Sequence, residues 1–404
     1  MERLVKKYAG KLIQAGLGES SGTHQPLVGG LDDVLTWNLP GAPEQPVLEQ
    51  VFSGLNINSL VFLRPRPPYT DIIRFLAGEA LGAGRTIEPK DCETRTFLHD
   101  RPVISRFHPD QVIETLKKRK SVIISEPGHD PAVLAPGTVS PEQGFVTVSS
   151  VCFACFVKFF ADYLDRLKTG KAGQAEHDLF DRAAKTLPPI SQKLPELIPG
   201  PFDKEPDIYR AVIQAGAKTV GYDLVDSYFG NVSYCSDDIL YISQTGSALD
   251  ELASCIDPVP LDHSTSAGLT ASSELTAHLK TIEKTGCRAI LHGHPKFSVI
   301  LSMDCDPEEK AACEFKDECH IKCPKKRFVE TTPIVPGEVG TGPTGLCNTL
   351  PAALEDSQSA IVYGHGLFTT GKIDFSDAFA EMLRIEERCR QIYVEKVNQL
   401  RKIR

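Results

Sequence analysis

Three histidines, His292, His294 and His365, are the residues of this chain best spaced to do chemistry. His292-Gly-His294 closes an apolar run, Cys287 to Leu291, that reads as a strand. Side chains two apart in a strand share a face, so both imidazoles can reach one ion. His365 likewise follows an apolar strand, Ser359 to Tyr363, and precedes Gly366, where the backbone can turn close to a metal. Three imidazoles with one position left open make the ligand set of a catalytic zinc. A His-x-His pair alone is often incidental, so its neighbours must support it. Ser272-Ser273-Glu274 opens a helical segment, Ser272 to Thr285, that leads into the His-x-His strand. Unpaired N–H groups and the helix dipole favour an anion there, and two hydroxyls suit a phosphate, although serine is also an ordinary cap. Glu274 and His278 lie four apart, a spacing that also allows them simply to pair with each other or to satisfy a core hydrogen bond.

These residues need a scaffold. A chain of 404 residues exceeds what one core usually organises, which predicts two domains. The proline-rich stretch containing Leu187-Pro-Pro and Leu194-Pro-Glu-Leu-Ile-Pro-Gly-Pro suits neither helix nor central strand. We place a first domain at 1–190, a linker at 191–204 and a second domain at 205–404. In the second, Ile208 to Leu224 has helical spacing, Gly230-Asn231 makes a turn, and Ile239 to Ile242 is a short strand. Phe375 to Arg404 reads as a long amphipathic helix. Alternating helices and strands predict an α/β fold.

Composition narrows the classes. With 41% hydrophobic and 24% charged residues the chain is globular rather than disordered. A net charge of −9, relieved only by clusters such as Lys117 to Lys120 and Lys325 to Arg327, argues against a nucleic-acid partner. The N-terminus lacks the layout of a secretory signal. The most apolar stretch, Gly144 to Val157, is shorter than a bilayer crossing and reads as a buried helix, so no membrane partner is expected. Twelve cysteines without a signal suggest reduced thiols and the cytoplasm. Cys152 and Cys155 have a redox spacing but sit in an apolar helical run, where core packing is the better reading. Cys305, Cys313, Cys319 and Cys323 form a second candidate metal site, against the alternative of free or disulfide-forming thiols; their spacing matches no standard cluster. The glycine-rich Pro336 to Gly345 lacks the lysine of a nucleotide-binding loop and reads as an active-site or interface loop.

The two halves also resemble each other. Arg95 to Pro102 lines up with Arg288 to Pro295, which sets His99 against His292 and Arg101 against His294. Gly128-His129, Gly137 and Phe145 line up with Gly364-His365, Gly371 and Phe379 if the first half carries two extra residues after its histidine. A guanidinium cannot give up its proton to bind a metal, so the first copy is expected to be degenerate, with a scaffolding role.

Together these residues resemble the class II aldolase and adducin family over about residues 205–385. The resemblance rests on Gly230-Asn231-Val-Ser233, Thr245-Gly246, Ser272-Ser273-Glu274, His292-Gly-His294-Pro295 and Gly364-His365-Gly366-Leu367, in the family's order. It implies two class II aldolase-like domains, each a central, mostly antiparallel sheet flanked by helices. It implies that Gly230, Asn231, Thr245, Gly246, Ser272 and Ser273 cradle a phosphate. It further implies that His292, His294 and His365 hold one zinc per chain (manganese, cobalt or iron being substitutes), and that Glu274 is the general acid/base. The family's aldolases resemble this chain in having glutamate there, where its 4-epimerases have aspartate. The activity implied is aldol cleavage or formation of a small phosphorylated ketose through a metal-stabilised enediolate. An epimerase, a dehydratase and a non-catalytic adducin-like interaction protein are the alternatives. The family also implies a homo-oligomer with its active site near a domain or subunit interface and a tyrosine acid, for which Tyr393 is a candidate.

Overall fold

The computed structural model describes residues 1–402 apart from 190–192, 226–227, 263, 265, 317 and 339. The first two residues of the expected linker, 191 and 192, and the end of the C-terminal segment, 403 and 404, lie outside the described residues. The chain forms two compact units, Met1–Tyr163 with Ala172–Pro188, and Leu164–Lys171 with Pro189–Arg404.

The first unit contains strands β1 (Leu27–Leu31), β2 (Leu35–Trp37), β3 (Ser59–Leu63), β4 (Thr86–Ile87), β5 (Arg101–Ile104), β6 (Val122–Ile124) and β7 (Ala132–Gly137). Its helices are α1 (Glu2–Gln14), α2 (Gln45–Gly54), α3 (Tyr69–Gly82), α4 (Cys92–Leu98), α5 (Pro109–Leu116), α6 (Pro141–Thr169), which runs on into the second unit, and α7 (Gln174–Ala184). The strands make a seven-stranded sheet in the order β2-β1-β3-β7-β6-β5-β4. β6 is a continuous β-branched run and β3 is apolar after Ser59, with every residue of both buried, as central strands covered on both faces require.

The second unit has helices α8 (Glu205–Gly221), α9 (Leu275–Thr285), α10 (Lys296–Ser302), α11 (Pro307–Ala312), α12 (Leu346–Glu355) and α13 (Phe375–Lys402). Its strands are β8 (Asn231–Ser236), β9 (Ile239–Ser243), β10 (Ile256–Pro260), β11 (Ala289–Gly293), β12 (Arg327–Val329), β13 (Thr332–Val335), β14 (Ser359–Val362) and β15 (Gly366–Gly371). They form an eight-stranded sheet in the order β10-β9-β8-β11-β15-β14-β13-β12. Removing β10 leaves the strand order of the first unit, including its single parallel pair, β5 with β6 in one and β13 with β14 in the other. The fold is therefore a tandem α/β repeat of mostly antiparallel sheets.

Register aligns the repeats residue by residue. Ser59 faces Gly137 across β3–β7 as Ala289 faces Gly371 across β11–β15. This bears out the match of Gly137 to Gly371 and overturns that of Arg95–Pro102 to Arg288–Pro295. Arg95 to Leu98 belong to helix α4, whereas Ala289 to His292 are strand, so a few shared letters joined unlike structures. Arg101 lies in β5, the counterpart of β13. The residue standing where His294 stands is Arg64, two beyond Phe62, which takes the place of His292.

Several expected elements shift by a few residues. α9 starts at Leu275 rather than Ser272, because Ser273 and Glu274 form a turn ahead of it, closed by Leu275 N donating to the Ser272 carbonyl at 2.9 Å. β11 runs two residues further than the apolar run, into His292 and Gly293. The apolar stretch from Gly144 is part of the 29-residue α6, long and apolar enough to cross a membrane by length and composition, but 89% of its most apolar window is buried inside the protein, so it is a core helix.

Helix α10 begins directly after His294-Pro295, and its start has no side-chain cap of its own. Glu386 of α13 supplies one: its carboxylate accepts from the backbone N–H of Phe297 and of Ser298 and from Ser298 Oγ, each at 2.8 Å. Burial pushes its pKa up while these donors hold it down. Replacing Glu386 by alanine strands two N–H groups in the interior, and we expect a loss of about 2–3 kcal/mol of unfolding free energy in urea, with glutamine recovering only part of it. An unchanged denaturation midpoint for the alanine variant would refute this capping role.

Candidate active site

The three histidines converge. His292 comes from β11 at the middle of the sheet, His294 from just beyond that strand, and His365 from the turn between β14 and β15. All three are buried, and their ligand atoms lie within 4.8 Å of one another. Nε2 of His292 is 3.1 Å from Nε2 of His294 and 3.4 Å from Nε2 of His365. Two nitrogens bound to one tetrahedral zinc stand roughly 3.3–3.4 Å apart, so the spacing fits one ion. The ring of His292 stacks on Phe368 with centroids 3.8 Å apart, and its Nδ1 lies 3.2 Å from the carbonyl oxygen of Leu367. A carbonyl only accepts, so Nδ1 carries the proton and Nε2 presents its lone pair to the centre. Burial, and then the neighbouring imidazoles, holds His294 well below the ordinary histidine range, and His292 is held there by burial and by His365. Both are neutral, the form that binds a metal.

Converging lone pairs repel unless a cation lies among them, and the backbone is built to bring them together. Gly364 adopts φ +58°, and its N–H donates to Ser302 Oγ of α10 at 2.8 Å, which anchors the turn carrying His365. A Cβ on Gly366 would stand 2.3 Å from the carbonyl oxygen of Gly293, 2.8 Å from His292 and 2.9 Å from His294. The residue must be glycine for the histidines to close on a common point.

Glu274 is the residue immediately before α9 and is buried beside the triad. Its Oε2 is 3.6 Å from Nε2 of His292 and its Oε1 is 3.7 Å from Nε2 of His365. Asn231, first residue of β8 and cross-strand neighbour of His292, donates from Nδ2 to Glu274 Oε2 at 2.6 Å. The other end of that amide, Oδ1, lies 2.6 Å from His278 Nε2, and His278 Nδ1 lies 2.7 Å from Ser233 Oγ. The polarity of this line follows from one acceptor. A carboxylate can only accept, so the amide turns its NH2 to Glu274 and its oxygen to His278; His278 then donates from Nε2 and accepts from Ser233 at Nδ1. His278 therefore does not pair directly with Glu274 but reaches it through Asn231.

The residues expected to cradle a phosphate fall in two groups. Thr245 and Gly246 follow β9 and are exposed, with Gly246 at φ +68°. Ser272 and Ser273 precede α9, Ser272 buried and Ser273 exposed. The groups run side by side: Thr245 N donates to the Thr270 carbonyl at 2.9 Å and Ser272 N to that of Ser243 at 3.0 Å. Ser272 Oγ turns back to accept from Glu274 N at 3.3 Å. The side chain of Asn231 is occupied at both ends. Gly230, at φ +78°, has its α-carbon so close to the His292 carbonyl oxygen that a Cβ would stand 2.3 Å from it.

Other candidates lie elsewhere. Among the described residues, the histidine triad is the one group of three or more such side chains close enough to share an ion. Cys305, Cys313, Cys319 and Cys323 are half-buried free thiols that do not form such a group. Cys152 and Cys155 are buried free thiols; burial pushes Cys155 up to about 11, which keeps it protonated and inert. Tyr393 is fully buried against Phe297, which removes it as a surface acid. His129 is exposed on its turn. In the first unit Arg64 lies 3.5 Å from Glu44, the residue immediately before α2, as Glu274 is immediately before α9. Sequence reading missed Glu44, Arg64 and Asn231's bridging role, because each depends on which strands pair.

Fold and site together define a class II aldolase-type scaffold. Residues 210–393 match the model of the Class II Aldolase and Adducin N-terminal domain family. No curated protein matches the chain. Among solved structures, it is similar to an L-fuculose-1-phosphate aldolase from Thermus thermophilus, at 22% identity over 48% of this chain and 95% of that one, with a TM-score of 0.38. A sugar-phosphate aldolase from Thermotoga maritima is 18% identical over 48% of this chain and 96% of its own, with a TM-score of 0.34. An L-fuculose 1-phosphate aldolase from Glaciozyma antarctica is 14% identical over 48% and 76%, with a TM-score of 0.32.

Two measurements test this geometry. Gly366→Ala is expected to abolish tight divalent-metal binding by isothermal titration while the folded far-UV signature survives; retained stoichiometric binding would show that the triad does not need this close approach. His278 is held at a pKa of about 4, chiefly by burial. Its folded pKa lies below the roughly 6.5 of an unfolded histidine, so its contribution is intact above that pH and is lost as pH falls toward 4. We expect unfolding free energy to drop between pH 6.5 and 4 by on the order of 3 kcal/mol more in wild type than in His278→Gln. Parallel pH profiles would contradict the buried neutral assignment.

Proposed function

We propose that the second unit, residues 205–404, is a zinc-dependent carbon–carbon lyase acting on a small phosphorylated ketose. The observation that carries this reading is a buried carboxylate, Glu274, within 3.7 Å of two of three converging imidazole nitrogens. His292, His294 and His365 would hold a divalent cation, whose chemistry would be Lewis acidity toward a substrate carbonyl and the negative charge beside it. Three imidazoles suit zinc, with manganese, cobalt and iron as competitors.

The chain's own residues do the rest. Glu274 takes a proton from, or returns it to, the carbon next to the carbonyl. Asn231 fixes the carboxylate from one side through its NH2, so the free oxygen keeps its direction. Thr245, Gly246, Ser272 and Ser273 offer hydroxyl and backbone donors to a phosphate at the start of α9, so binding energy from the remote phosphate holds the reacting carbons in register. The complete ligand set favours this chemistry over an adducin-like binding role. The first unit has Phe62 and Arg64 in place of His292 and His294, and we propose that it is a non-catalytic scaffold.

The test joins metal content to product analysis. Wild type is expected to hold one divalent metal per chain and to release a triose phosphate from a phosphoketose. His292→Ala with His294→Ala should lose both metal and activity. Glu274→Gln should keep the metal while turnover falls by about 10²–10⁴-fold. A product that is an epimer or a dehydrated sugar would reassign the reaction on the same site, and carefully prepared wild type without metal would overturn the reading.

A further inference from the structure

We propose that Asp257 is the positioning residue of the anion cradle and that strand β10 is present in the second unit to carry it. The inference rests on reading Thr245, Gly246, Ser272 and Ser273 as the phosphate site. Asp257 lies on β10, which among the described residues is an edge strand paired to β9 alone, yet its side chain is buried. A buried carboxylate is costly unless it is fully hydrogen-bonded, and both oxygens here are used. Oδ1 accepts from Gln244 Nε2 at 2.7 Å and Oδ2 accepts from Thr270 Oγ1 at 2.6 Å.

Those two partners are not arbitrary. Gln244 immediately precedes Thr245-Gly246, and Thr270 stands two residues before Ser272. One carboxylate thus grips both segments of the cradle just upstream of the residues that would face the phosphate. The backbone bond from Thr245 N to the Thr270 carbonyl at 2.9 Å and the bridge between Gln244 and Ala271 continue the same seam. Gln244 is held from the other side too, its N–H donating to the Cys255 carbonyl and its own carbonyl accepting from Ser247 Oγ at 2.7 Å. Releasing Asp257 removes the two side-chain ties, Gln244 Nε2 and Thr270 Oγ1, that join these segments through one carboxylate.

The internal repeat provides an independent observation. In the first unit, residues 38–44 join β2 directly to α2; in the second, residues 244–274 join β9 to α9. Every expected cradle residue after β9, together with β10 and Asp257, lies in this added length. The unit without the metal ligands also lacks the cradle and its clamp, which is what a cradle-specific role for β10 requires.

The probe is inorganic phosphate, titrated calorimetrically into the full-length, metal-loaded chain. Asp257→Ala is expected to weaken phosphate binding by about tenfold or more, with metal content unchanged. Asp257→Asn, which keeps one acceptor and can donate to the Thr270 hydroxyl, should recover to within about threefold of wild type. In turnover of a phosphoketose, KM should rise while kcat stays within about twofold. If Asp257→Ala fails to fold, Thr270→Val removes one of the two ties and should weaken phosphate severalfold. Phosphate affinity unchanged in Asp257→Ala, or in Thr270→Val where that variant stands in, overturns the proposal, as does loss of metal together with phosphate. A double Ser272→Ala, Ser273→Ala variant separates the layers: if it loses phosphate while Asp257→Ala does not, the cradle stands and the clamp falls. If wild type binds no phosphate, both fall.

Discussion

The structure of the second unit is organised around the cost of bringing three imidazole lone pairs together in the interior, with Nε2 of His292 within 3.4 Å of both its neighbours. For all three lone pairs to face one point, the surroundings must fix the rings and their tautomers. They do so with rigid parts. His292 sits in a central strand flanked by β8 and β15, its ring stacked on Phe368 and its Nδ1 bound to a carbonyl. His294 leaves that strand just before α10, whose start is pinned by Glu386, and the turn carrying His365 is pinned by Ser302 at the end of the same helix. One short helix therefore fixes two of the three ligands, and α13 fixes that helix.

Beside the triad, polarity is imposed in sequence. The only group in the line that cannot donate is the carboxylate of Glu274, and its need for a donor sets the orientation of Asn231, the tautomer of His278 and the role of the Ser233 hydroxyl. A fully satisfied buried network of this kind holds one geometry, which is what an acid/base group beside a metal requires.

Much of this was legible in the sequence, and the rest was hidden for definable reasons. His292, His294, His365 and Glu274 were found because strand-end histidines and a carboxylate at a helix start carry local signals. The buried character of α6 followed from its composition, though not its length. The resemblance implies a phosphate contact for Asn231; only the pairing of β8 with β11 shows that its amide also spans Glu274 and His278. β10 was not anticipated, since Ile256-Asp-Pro-Val-Pro260 carries two prolines, tolerable only because the strand lies at the sheet edge. Asp257 has no sequence signal at all, because its partners lie 13 residues away on either side.

The repeat shows how separable fold and site are. The sheet order and the parallel pair persist in both units, while Phe62 and Arg64 stand where His292 and His294 stand. Keeping a carboxylate at the start of α2 after losing imidazoles would leave a half-buried charge without its cation. Arg64 answers that problem, its guanidinium lying 3.5 Å from Glu44. A permanent cation on a side chain satisfies this carboxylate and offers no open coordination position. Under the proposed reading the carboxylate faces a cation in either unit: the Arg64 guanidinium in the first and, in the second, a metal ion that the neutral imidazoles would hold.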